Sequence, residues 1–325
     1  MARSRGLSEA KRAKKDEFYT QLVDIENEVR HYTAHFRGKT VLCNCDDPRI
    51  SNFFHYFASN FERLGLRRLI SVCYKNQEPD LFSMNQSERA IWLEYFGDRN
   101  GNRVPDPEEI GIRELKGDGD FRSAECIELL KEADIVVTNP PFSLFREYVA
   151  QLVEYQKQFL IIGNVNAISY KNIFELIQAN RLWLGKSIHS GDREFEVPAS
   201  YPLNAAGCRE SADGKRFIKV KGVRWFTNLD YAARHEDLVL YETYSPEKYP
   251  TYDNYAAINV NKTAEIPMDY NGIMGVPITF LDKYNPDQFE IVGLDRYVAD
   301  NPEYGHRFTI DGKETYARIL IRRKR

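Results

Sequence analysis

The chain has 325 residues, with 45 Lys+Arg against 48 Asp+Glu for a formal charge of -3, and is 42% hydrophobic and 29% charged. That balance excludes a mainly disordered chain, and at roughly 150 residues per domain the length predicts one large domain with an appendage, or two. No apolar run approaches the roughly 18–20 residues that span a membrane, and near-neutral charge gives no support for a nucleic-acid partner, so composition alone points to an acidic-leaning metabolic enzyme.

The start, MARSRGLSEAKRAKKDEF, is basic but lacks the apolar core of a secretory signal, so a cytoplasmic location is expected. Its lysines and arginines, like the closing Arg322-Arg323-Lys324-Arg325, read either as solvated tails or as arms that contact phosphate. From Lys39 to about Leu184 strands and helices alternate. Thr40–Cys43, Leu69–Cys73, Ile135–Val137 and Phe159–Ile162 are apolar strands. Phe53, Phe54, Phe57, Phe61 and Leu64 fall at helical spacing with Gly65 as the stop, and Leu144, Phe145, Tyr148, Val149, Leu152 and Val153 form a second helix face. Ile173, Phe174 and Ile177 mark a third. Uniformly apolar strands separated by helices predict an α/β fold with a parallel sheet covered on both faces. Ligands in such sheets sit at the carboxyl ends of the strands. Beyond Gly185 the chain reads as irregular and β-rich. The five cysteines are expected as reduced thiols. The 13% aromatic content, with 20 Tyr and 19 Phe, fits either an aromatic core or faces on which bases stack.

One strand ends in Thr138-Asn139-Pro140-Pro141-Phe142. Prolines end sheets and Asn favours turns, but an Asn-Pro-Pro-aromatic tetrad arises by chance in only roughly a few per thousand chains of this length. It also stands where the fold puts active sites. The tetrad resembles the catalytic motif of amino-group methyltransferases that use S-adenosylmethionine. An aromatic amine is a poor nucleophile because its lone pair is delocalised into the ring. The Asn139 side-chain oxygen and the Pro140 carbonyl can accept both amine hydrogens and localise that lone pair toward the methyl donor. Pro140 and Pro141 hold the acceptors in place, and Phe142 can stack on a flat substrate.

Three further segments stand in the order of this class. Glu17-Phe18-Tyr19-Thr20-Gln21 precedes the first strand. Cys43-Asn44-Cys45-Asp46-Asp47-Pro48 fills the first strand–loop–helix position, without the usual glycines; its two thiols alone make a poor metal site. Gly117-Asp118-Gly119-Asp120-Phe121 precedes the catalytic strand, and calcium there lacks the other loop ligands. No metal is expected.

With DIVVTNPPFSLFREY, CNCDDPR, DEFYTQ, GDGDFRS and GVPITFL, these strings make the chain resemble the EcoRI-type adenine-specific DNA methyltransferases over most of its length. The resemblance implies a Rossmann-like S-adenosylmethionine-dependent sheet with a β-rich, irregular DNA-recognition region after it. It implies transfer to the 6-amino group of a flipped-out adenine in duplex DNA, the inner adenine of GAATTC. It also implies a monomer and a companion restriction endonuclease as functional partner. Cofactor contacts fall on Phe18, Tyr19, Thr20, Cys43, Asn44, Asp46, Pro48, Asp118, Asp120, Phe121 and Asn139, and catalysis on Asn139, Pro140, Pro141 and Phe142. Phe142, Trp225 and Asn228 are expected around the target base, with an ordinary aromatic core strand as the alternative for Trp225–Asn228. The expected organisation is an arm and cofactor-covering segment at 1–38, a catalytic domain at 39–230 and a recognition region at 231–325, with insertions at 75–112 and 186–224. The Tyr-rich stretch 249–255 and the Asn-Lys-Thr stretch within 259–263 are candidates for reading bases, with surface-loop structure as the favoured alternative. Competing readings are methylation of a protein glutamine or of structured RNA, and a DNA-binding module without activity.

Overall fold

The structure is a computed structural model that describes residues 20–45, 51–73, 90–102, 105–106, 108–189, 192–197, 207–298 and 305–324. In chain order its elements begin with α1 (Leu22–Val29), β1 (Thr40–Asn44), α2 (Asn52–Ser59), α3 (Phe61–Leu64), β2 (Arg68–Cys73), β3 (Ile91–Tyr95) and β4 (Gly111–Glu114). Next come α4 (Ala124–Glu132), β5 (Ile135–Thr138), α5 (Phe145–Glu154), β6 (Gln158–Asn164), α6 (Lys171–Gln178), β7 (Trp183–Leu184) and β8 (Asp192–Val197). The rest are β9 (Cys208–Glu210), β10 (Arg216–Lys221), β11 (Val223–Thr227), β12 (Ile258–Asn259), β13 (Met274–Pro277), β14 (Phe289–Leu294), β15 (Thr309–Ile310), β16 (Lys313–Glu314) and β17 (Arg318–Arg323). They form two compact units, one within Met1–Val165 and Ser190–Leu229, the other within Asn166–His189 and Asp230–Arg325.

In the first unit the strands run in the order β4-β3-β2-β1-β5-β6-β11. β1 is parallel to β2 and β5, and β5 to β6, with Val41 opposite Ile135 and Thr138 opposite Ile161. Every residue of β1 and β5 is buried, as the uniformly apolar runs require when both faces of a sheet are covered. The expected parallel sheet is therefore its centre. Its flanks are antiparallel: β3 and β4 extend beyond β2, and β11 lies against β6. The aromatic helix after β1 is broken at Asn60 into α2 and α3, and Gly65 closes it at φ +65° as a left-handed cap. The three-stranded sheet β8-β10-β9 completes the unit.

Aromatic rings account for every one of the largest fully buried side chains, among them Trp225, Tyr95, Tyr148, Phe53, Phe57 and Phe145. Phe36 meets Phe57 at 5.2 Å and Phe145 meets Phe226 at 4.9 Å between ring centroids. The aromatic content is chiefly a core. The five cysteines are all free thiols, with Cys43, Cys73 and Cys126 buried.

The second unit is built on the sheet β12-β13-β17-β14. The segment Asn166–His189, read from the sequence as part of the sheet domain, packs here: Ile173, Phe174 and Ile177 of α6 are buried, and Gln178 Nε2 donates to the Val292 carbonyl at 2.6 Å. A β-bulge between Ile291 and Gly293 interrupts the pairing of β14 with β17. Tyr252, Tyr255, Phe308 and Leu320 form a core cluster, with Tyr255 stacked on Phe308 at 4.7 Å. The Tyr-rich stretch is thus interior: Tyr249, Tyr252 and Tyr255 are all buried. Asn259 accepts from Tyr252 Oη and Arg318 Nε, each at 2.9 Å, so it is a buried hub, whereas Asn261 and Lys262 of the Asn-Lys-Thr stretch are exposed. The basic C-terminus is not a free arm either. β17 is paired on both sides, Arg322 lies 3.6 Å from Glu290, and Lys324 Nζ donates to the Pro286 carbonyl at 2.6 Å.

His235 of this unit sits between two carboxylates, Nδ1 at 2.7 Å from Asp287 and Nε2 at 2.9 Å from Asp230. Serving both requires the imidazolium, and the hydrogen bonds to Asp287 and then Asp230 hold its pKa above the ordinary histidine value. The stability it contributes is therefore fully present below the unfolded-state pKa and lost as pH rises through the raised folded value. Urea unfolding of wild type and His235→Gln should differ more at about pH 6 than at about pH 9; an equal difference at both would contradict this.

Candidate active site

The carboxyl ends of β1 and β5 lie side by side, and buried hydrogen bonds tie them together. Thr138 Oγ1 donates to the Asn44 backbone carbonyl, and Tyr148 Oη, from α5, donates to the Asn44 side-chain oxygen. Burial pushes the Tyr148 pKa well up, so the hydroxyl stays a neutral donor. Its ring meets the Phe121 ring edge-on at 5.0 Å, and Gln151, also from α5, donates to the Phe121 carbonyl at 3.0 Å. One helix thus holds the end of β1 to the Asp-Phe pair that precedes β5, while Thr138 ties the end of β5 to β1.

Asn139 and Pro140 are buried immediately beyond β5, and Pro141 and Phe142 are half-buried. The helical register starts again at once: Leu144 N donates to the Pro141 carbonyl at 2.9 Å in a short turn that leads into α5. With φ restricted at both prolines and buried structure on either side, the Asn139–Phe142 backbone has little freedom.

Cys43 and Asn44 are buried at the end of β1. Cys45 follows at φ +74°, a left-handed conformation usually left to glycine, and its Sγ lies 3.6 Å from Asn44 Oδ1. The sharp turn that a Gly-rich cofactor loop makes is made here by a cysteine. Asp46 and Pro48 lie outside the described residues, as do Phe18 and Tyr19. Thr20 is brought to the start of α2, where Asn52 Nδ2 donates to its carbonyl at 2.7 Å. Its hydroxyl is buried and has no hydrogen-bond partner. Asp120 accepts from Arg122 through Nε at 2.9 Å, Nη2 at 2.7 Å and the backbone N at 2.9 Å. Asp118 is turned inward, its Oδ1 accepting from Asp120 N at 3.1 Å.

Trp225 and Asn228, expected as a wall of the base pocket, have packing roles instead. β11 is covered on both faces, so Trp225 is 0% exposed and meets Phe53 edge-on at 6.1 Å. Asn228 accepts from Phe159 N at 2.8 Å and donates to the Lys157 carbonyl at 2.9 Å, clamping the start of β6. Tyr148 and Gln151 are the site's unforeseen members. Their spacing marks one face of α5, and a hydroxyl on an otherwise apolar helix face was the available signal.

The family described as "Adenine-specific methyltransferase EcoRI" matches residues 6–324. The chain belongs to this family. It is 50% identical over 321 residues to the Type II methyltransferase M.EcoRI of Escherichia coli, covering 98% of this chain and 96% of that one. It is 38% identical over 334 residues to the Type II methyltransferase M.MgeORF184P of Mycoplasma genitalium, and 38% identical over 335 residues to M.MpnI of Mycoplasma pneumoniae. Each of those two matches covers 98% of both chains. Membership of an adenine-specific methyltransferase family makes the chain an enzyme and overturns the metabolic reading of its charge. Among the described residues no helix is long and apolar enough to cross a membrane.

Methyltransferase families of this kind use S-adenosylmethionine, and the residues present suit it. Its amino-acid end needs polar partners and its adenine an aromatic face. The partnerless buried hydroxyl of Thr20, the carboxylate of Asp120 and the ring of Phe121 supply those chemistries.

Proposed function

We propose that the chain transfers a methyl group from S-adenosylmethionine to the exocyclic 6-amino group of an adenine rotated out of duplex DNA, the inner adenine of GAATTC, acting as a monomer in restriction–modification. The observation that supports it most is the meeting of three segments: Tyr148 joins Asn44 at the end of β1 to Phe121, and Thr138, the residue before the Asn139-Pro140-Pro141-Phe142 turn, donates to the Asn44 carbonyl.

The cofactor supplies an electrophilic methyl on a sulfonium. Everything else falls to the chain. The Asn139 side-chain oxygen and the Pro140 carbonyl accept the two hydrogens of the amine, drawing its lone pair out of conjugation with the ring. Neither acceptor has to be a strong base, because the amine proton becomes acidic as the new N–C bond forms. Both are held in place before reaction, so little reorganisation is needed. Phe142 stacks on the extruded base and offsets the few kcal/mol that leaving the duplex costs. Thr20, Asn44, Asp120 and Phe121 hold the cofactor.

Incubating plasmid DNA with the purified protein and mapping modified adenines by sequencing tests the site. Modification confined to the inner adenine of GAATTC is expected. Modification at another sequence would overturn the proposed target while leaving the chemistry intact.

A further inference from the structure

The turn that joins β3 to β4 carries oxygen-bearing side chains at a regular interval: Asp98, Asn100, Asn102, Asp106 and Glu109. Counted from Asp98 they occupy positions 1, 3, 5, 9 and 12, which are the side-chain positions of a 12-residue calcium loop. The sharp turn is made by Gly101 at position 4, at φ +80°, where an EF-hand has its glycine at position 6. No helices flank it, so the resemblance is confined to the spacing of the ligands.

The side chains converge. Glu109 Oε1 accepts from Arg99 N at 2.6 Å and Asn100 N at 3.2 Å, which folds the last carboxylate back onto the start of the turn. Asn100 and Asn102 both donate to Asp106 Oδ2, at 2.6 and 3.2 Å, and Gly101 N donates to Asp98 Oδ1 at 2.6 Å. A second observation points to a ligand. Glu109 is 7% exposed, and its Oε2 is buried without a hydrogen-bond partner. A buried carboxylate oxygen left in that state is costly. Glu109 stands where a calcium loop places its bidentate glutamate, which would use both oxygens.

We infer that Asp98, Asn100, Asn102, Asp106 and Glu109 bind one divalent cation, calcium by preference. Among the described residues no three His, Cys, Asp or Glu side chains are yet drawn around one point. Amide N–H groups of Asn100 and Asn102 satisfy Asp106, and turning these amides would present their oxygens to a cation. Mixed carboxylate and amide oxygens suit calcium's flexible coordination better than magnesium's strict octahedron. The nearby Tyr95 hydroxyl is consistent with a local excess of negative charge: burial first, then Glu62, Glu109, Asp98 and Asp106, push its pKa up to about 12. Tyr95 pairs with Leu69 near the amino end of β2, opposite the end that carries Asn44 and Asn139. The ion is therefore structural, clamping the β3–β4 hairpin.

The test uses the full chain, stripped with chelator and titrated calorimetrically with calcium chloride and with magnesium chloride. One calcium per chain is expected, with a dissociation constant of about 10⁻⁵–10⁻³ M, at least tenfold weaker magnesium binding, a raised unfolding temperature and unchanged methyl transfer by the folded enzyme. Glu109→Gln keeps the shape and the contacts to Arg99 and Asn100, and should weaken calcium binding by about tenfold or more. Asp106→Asn, on the opposite side of the turn, should weaken it as well and guards against a folding defect peculiar to Glu109. No calcium uptake by the native chain at millimolar concentration, or native affinity in both variants, would overturn the inference.

Discussion

Asn139→Ala is expected to lower the rate of methyl transfer by about 10²–10³-fold, equivalent to roughly 3–4 kcal/mol of transition-state stabilisation, with cofactor affinity changed only a few-fold. The asymmetry follows from geometry. Asn139 is buried beyond β5 with its backbone confined by Pro140 and Pro141, so shortening its side chain leaves the turn in place. The residues proposed to hold the cofactor, Thr20, Asn44 and Phe121, stand on other segments. What is lost is an acceptor that acts only while the amine becomes tetrahedral, and such an interaction affects kcat rather than binding. Single-turnover methylation and equilibrium cofactor binding, measured on one preparation, separate the two. Near-normal turnover would remove Asn139 from the mechanism, and a large loss of cofactor affinity would make it a binding residue.

The second large effect is expected at Tyr148. Tyr148→Ala removes a fully buried ring from beneath Phe121 together with the donor to Asn44, and should cost about 3–5 kcal/mol of stability. Tyr148→Phe divides that effect. The ring remains, but the Asn44 side-chain oxygen loses a buried donor, at about 1–3 kcal/mol. Because Asn44 and Phe121 are both assigned to the cofactor, the phenylalanine variant should also bind S-adenosylmethionine about tenfold more weakly while its kcat at saturation stays close to wild type. A loss of stability in urea without any change in cofactor affinity would make Tyr148 a packing residue only.

The central strands β1, β2, β5 and β6 were legible because burial on both faces makes a parallel strand uniformly apolar, and the tetrad after β5 was legible because its residues are improbable together. The antiparallel flanks were not. β11 is buried on both faces like the parallel strands, so Trp225-Phe226 gave no sign of running the other way. β3 lies within a stretch whose polar loops mask it. Trp225 and Asn228 misled for a related reason: an aromatic and an amide near a site look alike in sequence whether they face a substrate or pack a strand. The tyrosines of 249–255 repeated the error in the second unit, where they build a core. Tyr148 went unnoticed for the converse reason, since its ring satisfied the apolar pattern of α5 and only the fold shows its hydroxyl meeting Asn44. The near-neutral charge was the weakest guide, because a net value of -3 averages over the surface and says nothing of one face.

The central claim is that this chain methylates the 6-amino group of adenine in DNA through the Asn139-Pro140 acceptors. The most direct measurement incubates the enzyme with S-adenosylmethionine carrying a labelled methyl and a duplex containing GAATTC, digests the DNA and identifies the labelled nucleoside. The expected result is label in N6-methyladenine alone with wild type, and its near-complete loss with Asn139→Ala. Label in a cytosine derivative, or equal labelling by both proteins, would contradict the claim.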